Sequence, residues 1–271
     1  CTSPREVIDH VDTVFTMVFG PAQIDDVVRG PDGLLAGSCD GRLWIDMTTS
    51  RPALMRELAG EFEAAGGSAV DAPVTGSIDS CIRGDMILFV GGRDEAVTRA
   101  RPLLEAVGVP RVVGPYGNGY VAKLVNNQLW FIHAAAIGEA MVTAKLAGLD
   151  PKLWWDVMKG GAADSFVLQH DVPSIFAGHY DPSFPIALCL KDLSLIKELM
   201  DEVGTRNVVD VLNAQQLLYR AVRDYANTRY DYVVNLLKLR QQAGMLSPAD
   251  IEALNKWLTE PAAATATAAP G

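Results

Sequence analysis

The sequence predicts an α/β layer followed by an all-helical half. Three observations carry this reading. Short apolar runs alternate with amphipathic helical patterns from Thr13 to about Gly114, strand signals stop after Gly119, and a glycine-rich junction, PYGNG, separates the two regimes.

In chain order, TVFTMV reads as a strand and PAQIDDVV as the helix after it, and LWIDM with RPALMRELAGEFEAAG repeats the pair. SAVDAP is a third strand, MILFVGG precedes the helical RDEAVTRARPLLEAVG, and RVVG closes the series. Strands this short and apolar are buried on both faces, so helices are expected above and below a parallel sheet. Beyond the junction the pattern predicts helices over roughly 119–147, 151–160, 188–203, 207–223 and 230–243. The expected boundaries are 1–117 for the α/β domain and 118–260 for the helical domain. PAAATATAAPG, at 261–271, holds nothing apolar larger than Ala and Pro and predicts a disordered tail.

With 271 residues, 49% hydrophobic and 21% charged, the composition is that of a soluble globular protein. A net charge of -10 supplies no basic footprint, which argues against nucleic acid or an anionic membrane surface as the main partner. A small ligand or another protein is expected instead. Cys1, Cys39, Cys81 and Cys189 are scattered, with no C-x-x-C pair, and read as free thiols of a reducing, cytoplasmic compartment. The four histidines form no metal-binding spacing, so no metal is expected. FIHAAAIGEAMVTAKLAGL, Phe131 to Leu149, contains His133, Glu139 and Lys145 and suits a buried helix better than a membrane span.

Four stretches could carry chemistry. In GNGYVAKLVNNQLW, Lys123 and Asn127 lie one turn apart on a helix apolar nearly all round. A lysine near a helix start ordinarily snorkels to solvent; one facing an interdomain cleft is partly desolvated, has a lowered pKa and can transfer protons. DAPVTGS follows a strand, and Thr75, Gly76 and Ser77 make a tight turn that is either an ordinary hydroxyl-rich turn or a carboxylate cradle. CLKDLSLIKEL sets Lys191 and Asp192 at the head of an amphipathic helix. IDMTTSRP puts Thr48 and Thr49 at a strand end, where open α/β sheets bind ligands.

The order and spacing of IDMTTSRP, DAPVTGS with GDMILFVGG, GNGYVAKLVNN and SFPIALCLKDLSL closely resemble the β-hydroxyacid dehydrogenase family, from about Asp12 to Val203. The resemblance implies a Rossmann-like cofactor domain that binds NAD or NADP, and a helical domain that completes the substrate site and pairs across a two-fold. It implies Lys123 as general acid and base, with Asn127 hydrogen-bonded to a small hydroxy acid. It implies Thr75, Gly76 and Ser77 around the substrate carboxylate, and Lys191 closing over substrate and cofactor. Met17, Val18 and Thr49 fall at cofactor contacts. A homodimer or homotetramer is expected.

Several positions depart from the family's pattern. Thr75 and Ser77 stand for serine and glycine, Val18-Phe19 for Leu-Pro, GGAADSF at 160–166 for a Gly-Ser-rich segment on the substrate side, and NTRYDYVVNLL for a glycine-rich stretch. The family's opening strand and G-x-G-x-x-G are not matched, and Cys1 aligns roughly forty to fifty residues into the pattern. The sequence is expected to be a fragment of a longer protein, with a shortened gene product as the other possibility; GNG at 117–119 is no substitute, because it lacks the third glycine. Two further readings keep the fold: an imine reductase, a class that usually lacks the lysine, and a non-catalytic dimerisation module.

Overall fold

The structure, a computed structural model, describes residues 1–76, 78–178, 184–204, 234–248 and 251–252. The chain divides into two compact units, Cys1–Thr205 and Arg206–Gly271. In the second, residues 234–242 are helical. The expected helix at 207–223, the first residues of the one at 230–243 and the tail at 261–271 lie outside the described residues, as does Ser77.

The first unit opens with α1 (Pro4–His10), β1 (Thr13–Thr16), α2 (Pro21–Arg29), β2 (Leu43–Asp46), α3 (Pro52–Ala64), β3 (Ser68–Asp71) and β4 (Val74–Thr75). It continues with α4 (Ile78–Arg83), β5 (Ile87–Gly92), α5 (Asp94–Val107) and β6 (Val109–Gly114). The helices α6 (Asn118–Leu146), α7 (Pro151–Met158), α8 (Phe166–Ala177) and α9 (Ile186–Glu202) follow. Proline opens α2, α3 and α7, where its missing N–H costs nothing. Asp150 and Ser165 cap α7 and α8 through their side chains. The helix α8 was not expected, because Pro173 within it reads as a breaker.

The strands lie in the order β1-β2-β3-β5-β4, with β6 paired to β5. β1, β2 and β3 run parallel in register, Thr16 beside Asp46 and Asp46 beside Asp71. The sheet is mixed, which corrects the expectation of a parallel one: β5 is antiparallel to both β3 and β4. A parallel return needs a crossover of a dozen or more residues, and the link from β3 to β5 is largely taken up by β4 and the short α4.

Period-two alternation sends successive strand residues to opposite faces. Trp44 and Ala69 pack on one face with Ile24 and Val28 of α2 and Leu54, Met55, Leu58 and Phe62 of α3. Leu43, Ile45, Val70, Leu88 and Val90 pack on the other with Ala96, Val97, Ala100 and Leu104 of α5. Each fully buried large side chain contributes about 1.5–3 kcal/mol, so this double-sided core holds the sheet rigid beneath its strand ends.

The helix α6 corrects a second expectation. Its apolar character predicts burial, yet only Gly119, Tyr120, Leu124 and Asn127 are buried, and Leu129, Ile132, Val142 and Leu146 are exposed. Its first turns lie on the sheet and α9, Phe131 still packs beside Leu195 and Ile196, and further on Ile137, Met141 and Ala144 pack on the small cluster of Trp154, Leu168 and Val172. By length and composition alone α6 could cross a membrane.

Candidate functional site

Three chain segments meet beside the start of α6. The first is the pair of strand ends β1 and β2. Asp46 is fully buried there and accepts hydrogen bonds from Thr16 Oγ1 at 2.6 Å, Thr48 Oγ1 at 2.7 Å and the Tyr120 hydroxyl. Burial pushes its carboxyl above the usual range, and the three hydroxyl bonds oppose that rise. Thr48 spends its one proton on Asp46 and accepts from the Val18 amide at 3.2 Å, so its side chain braces the two strand ends together. That leaves Thr49, half-buried, and Met17, 66% exposed, as the side chains open toward a ligand at this edge.

The second segment runs from β3 into β4 and is tied to the head of α6. Gly117 caps the helix at φ +85, a left-handed conformation that favours glycine, and its amide donates to Asp71 Oδ1 at 3.0 Å. The Tyr120 amide donates to Asp71 Oδ2 at 3.2 Å. A buried carboxylate thus receives the unpaired N–H groups of the helix end, although burial still raises it to about 6. Gly119 is required for a different reason: a Cβ there would sit 2.3 Å from Phe89 O and 2.6 Å from Asp71 Oδ2. The glycines at this junction let α6 start flush against the sheet.

That placement sets Asn126 over β4, and Lys123 and Asn127 beside Asp192. Asn126 Nδ2 donates to Thr75 Oγ1 and to Asn127 Oδ1, both at 3.1 Å. Thr75 is half-buried in β4, and Gly76 follows at φ +139. The expected turn is therefore a short strand paired with β5 that leads into the turn.

The third segment is α9, held on α6 by Leu124, Leu195 and Ile196. Asp192 is 2% exposed and accepts from Asn127 Nδ2 at 2.7 Å. Lys191 Nζ lies 2.9 Å from Asp192 Oδ1, without the alignment of a hydrogen bond, and donates to Phe19 O at 2.9 Å. Lys191 thereby joins the helical side of the site to the loop after β1. Lys123 is lowered to about 8, first by burial and then by Lys191, while Asp192 works the other way.

Lys123, Asn127, Lys191 and Thr75 thus converge, and Met17, Val18 and Thr49 lie on the strand-end side that Lys191 reaches. Asn127 is buried, with one amide end on Asn126 and the other on Asp192. The GGAADSF segment is not at this cluster. Ala162, Ala163, Asp164 and Ser165 line a separate cavity of about 320 Å³ with His133, Trp154 and Leu168. Sequence reasoning missed Asp46, Asp71 and Tyr120, and passed over Asn126. A carboxylate closing an apolar strand was the available signal for the two aspartates. Among the described residues no cluster of His, Cys, Asp and Glu could hold a metal ion.

Comparison with known proteins bears on this geometry. Residues 1–117 match the family described as the NAD binding domain of 6-phosphogluconate dehydrogenase. Residues 117–236 match that described as NAD-binding of NADP-dependent 3-hydroxyisobutyrate dehydrogenase. Mouse mitochondrial 3-hydroxyisobutyrate dehydrogenase is 31% identical over 249 residues, 89% of this chain and 74% of that protein. The 2-hydroxy-3-oxopropionate reductase of Escherichia coli K12 is 31% identical over 192 residues, 70% of this chain and 66% of its own. Among Arabidopsis thaliana relatives, "probable 3-hydroxyisobutyrate dehydrogenase-like 2, mitochondrial" is 33% identical over 196 residues, 72% of this chain. The chain spans 66% of the length of that relative and 62% of the like-3 protein. The structure of Mycobacterium tuberculosis 3-hydroxyisobutyrate dehydrogenase with L-serine superposes with a TM-score of 0.70 at 28% identity, covering 76% of this chain and 73% of that one. With its motifs, fold and relatives in agreement, the chain belongs to the β-hydroxyacid dehydrogenase family, a family of NAD(P)-dependent hydroxyacid dehydrogenases.

Proposed function

We propose that this protein is an NAD(P)-dependent oxidoreductase that transfers a hydride between nicotinamide and a small β-hydroxy acid, or its semialdehyde or keto form, with Lys123 as general acid and base. The observation that carries the reading is a half-buried, partly desolvated amine, lowered to about 8, that feels Asp192 and Lys191 and lies one turn from Asn127 on α6. An amine in that range is available in both protonation states near neutral pH, as reversible proton transfer to an alcohol oxygen requires.

The residues present fit the nicotinamide end of the cofactor: Met17 and Thr49 are open at the strand ends, and Lys191 bridges from α9 to Phe19 beside them. Bound there, the nucleotide supplies the hydride acceptor or donor. In oxidation Lys123, as the neutral amine, takes the hydroxyl proton; in reduction its ammonium returns it. Asn127 spends one Nδ2 hydrogen on Asp192, and the second is the donor that aims the reacting oxygen. Thr75, with Gly76 and Ser77, holds the carboxylate. Lys191 adds positive charge that attracts the acid and keeps Lys123 from protonating too readily.

The four cysteines are free, which supports a reducing, cytoplasmic setting. The exposed apolar turns of α6 support a homodimer or homotetramer, and a net charge of -10, with no basic footprint, argues against nucleic acid or an anionic membrane surface as partner. A monomeric sedimentation profile would contradict that assembly. The reaction is tested with Lys123→Ala: kcat should fall about 10²- to 10⁴-fold while nucleotide affinity holds. Full activity in that variant would overturn the assignment, as would a wild type that turns over imines and no hydroxy acid.

A further inference from the structure

The polar chain beside Lys123 has a direction that follows from hydrogen-bond accounting alone. An aspartate carboxylate only accepts, so the end of Asn127 that lies 2.7 Å from Asp192 Oδ2 is its Nδ2. Asn127 Oδ1 must then face Asn126, and the Asn126 atom 3.1 Å away must be a donor, its Nδ2. The second hydrogen of that nitrogen goes to Thr75 Oγ1, also at 3.1 Å. Thr75 is thereby an acceptor toward Asn126, and its own hydroxyl proton has no acceptor among the described residues. Asp192 is buried and held beside Lys191, so the start of the chain does not reorganise easily.

We propose that Asn126 is a specificity-determining positioning residue, which relays the polarity of Asp192 through Asn127 so that the Thr75 hydroxyl keeps its proton free to donate into the cleft. The Thr75 corner then offers its proton to a carboxylate or another acceptor group of the ligand. This rests on the hydroxy-acid reading above. It adds that the acid end of the substrate is selected from two residues behind the turn, by a side chain that need not touch it. An aspartate at 126 would reverse the last link, because the Thr75 proton would be drawn to the new carboxylate.

The test uses the intact protein with 3-hydroxypropionate and saturating nucleotide, comparing wild type, Asn126→Asp, Thr75→Val, Thr75→Ser and the Asn126→Asp/Thr75→Val pair. Each of Asn126→Asp and Thr75→Val should raise KM about tenfold or more, the loss of one hydrogen bond to a charged group, with kcat, compared for oxidation on its high-pH plateau where Lys123 is neutral, changed less than about threefold. Thr75→Ser should restore most of the affinity. In the pair the two effects should overlap, leaving KM within about twofold of the worse single variant. Fully multiplying effects would mean plain charge repulsion from residue 126 and would overturn the proposal, as would an unchanged KM in Asn126→Asp. The underlying reading fails separately. A wild type without turnover, but with 3-hydroxypropionate binding that weakens in both variants, would sink the dehydrogenase and keep the relay. Turnover abolished by Lys123→Ala, with KM indifferent to residue 126, would do the opposite.

Discussion

Two regions of this molecule each bury a carboxylate almost completely and use it in different ways. At the strand ends, Asp46 is met by the hydroxyls of Thr16, Thr48 and Tyr120, neutral donors that fix three segments to one another. At the head of α9, Asp192 is met by an amide and faced by the ammonium of Lys191, and its charge acts on Lys123. Neutral donors around a buried charge make a brace; ammonium groups around one make a charge balance that another proton transfer can draw on. The head of α6 connects the two, since Tyr120 reaches Asp46 and Asn127, two turns on, reaches Asp192.

The comparison can be broken most severely at that connection. Gly119→Ala places a methyl group against Phe89 O and Asp71 Oδ2 and should cost about 3 kcal/mol or more in urea unfolding, with both regions disturbed together. Asp46→Asn should cost about 2 kcal/mol, because one arm of the carboxylate can no longer accept from Tyr120 as it stands. If Asp46 is only a brace, the midpoint of the kcat–pH profile should stay where it is in that variant.

Asp192→Asn should do the reverse and move that midpoint. Oxidation requires neutral Lys123, so its rate should rise with pH through about 8. Asp192 stabilises the ammonium form; removing its charge should shift the rise toward lower pH by about one unit, equivalent to about 1.4 kcal/mol. In the reducing direction the limb that falls with rising pH should move the same way. An unmoved midpoint would place Asp192 with Asp46 as a brace. The smallest effect is expected at Arg56→Ala. Its 3.3 Å contact with Glu202 links α3 to α9 between half-exposed side chains, and such pairs are worth less than about 1 kcal/mol.

Much of the site was legible because its parts are local. Lys123 and Asn127 share a helix face by spacing alone, and Thr75 and Lys191 announce themselves by the short motifs around them. The antiparallel course of β5 was not legible, since hydrophobic runs carry no strand direction. Nor was α8, whose Pro173 imitates a stop.

What the sequence by itself determined was the alternation of strands and helices, the junction at Gly117, and the residues able to move a proton or hold an acid. Periodicity, glycine and side-chain chemistry are properties of neighbours along the chain. The tertiary structure decided which charges meet. That Lys123 lies between Lys191 and Asp192, that Asp71 caps the helix carrying it, and that Asn126 turns toward Thr75 depend on packing elements up to 69 residues apart in sequence, from Lys123 to Asp192. Burial and Coulomb forces act on distance in space, so the lowered pKa of Lys123 exists only once β3, β4, α6 and α9 have come together.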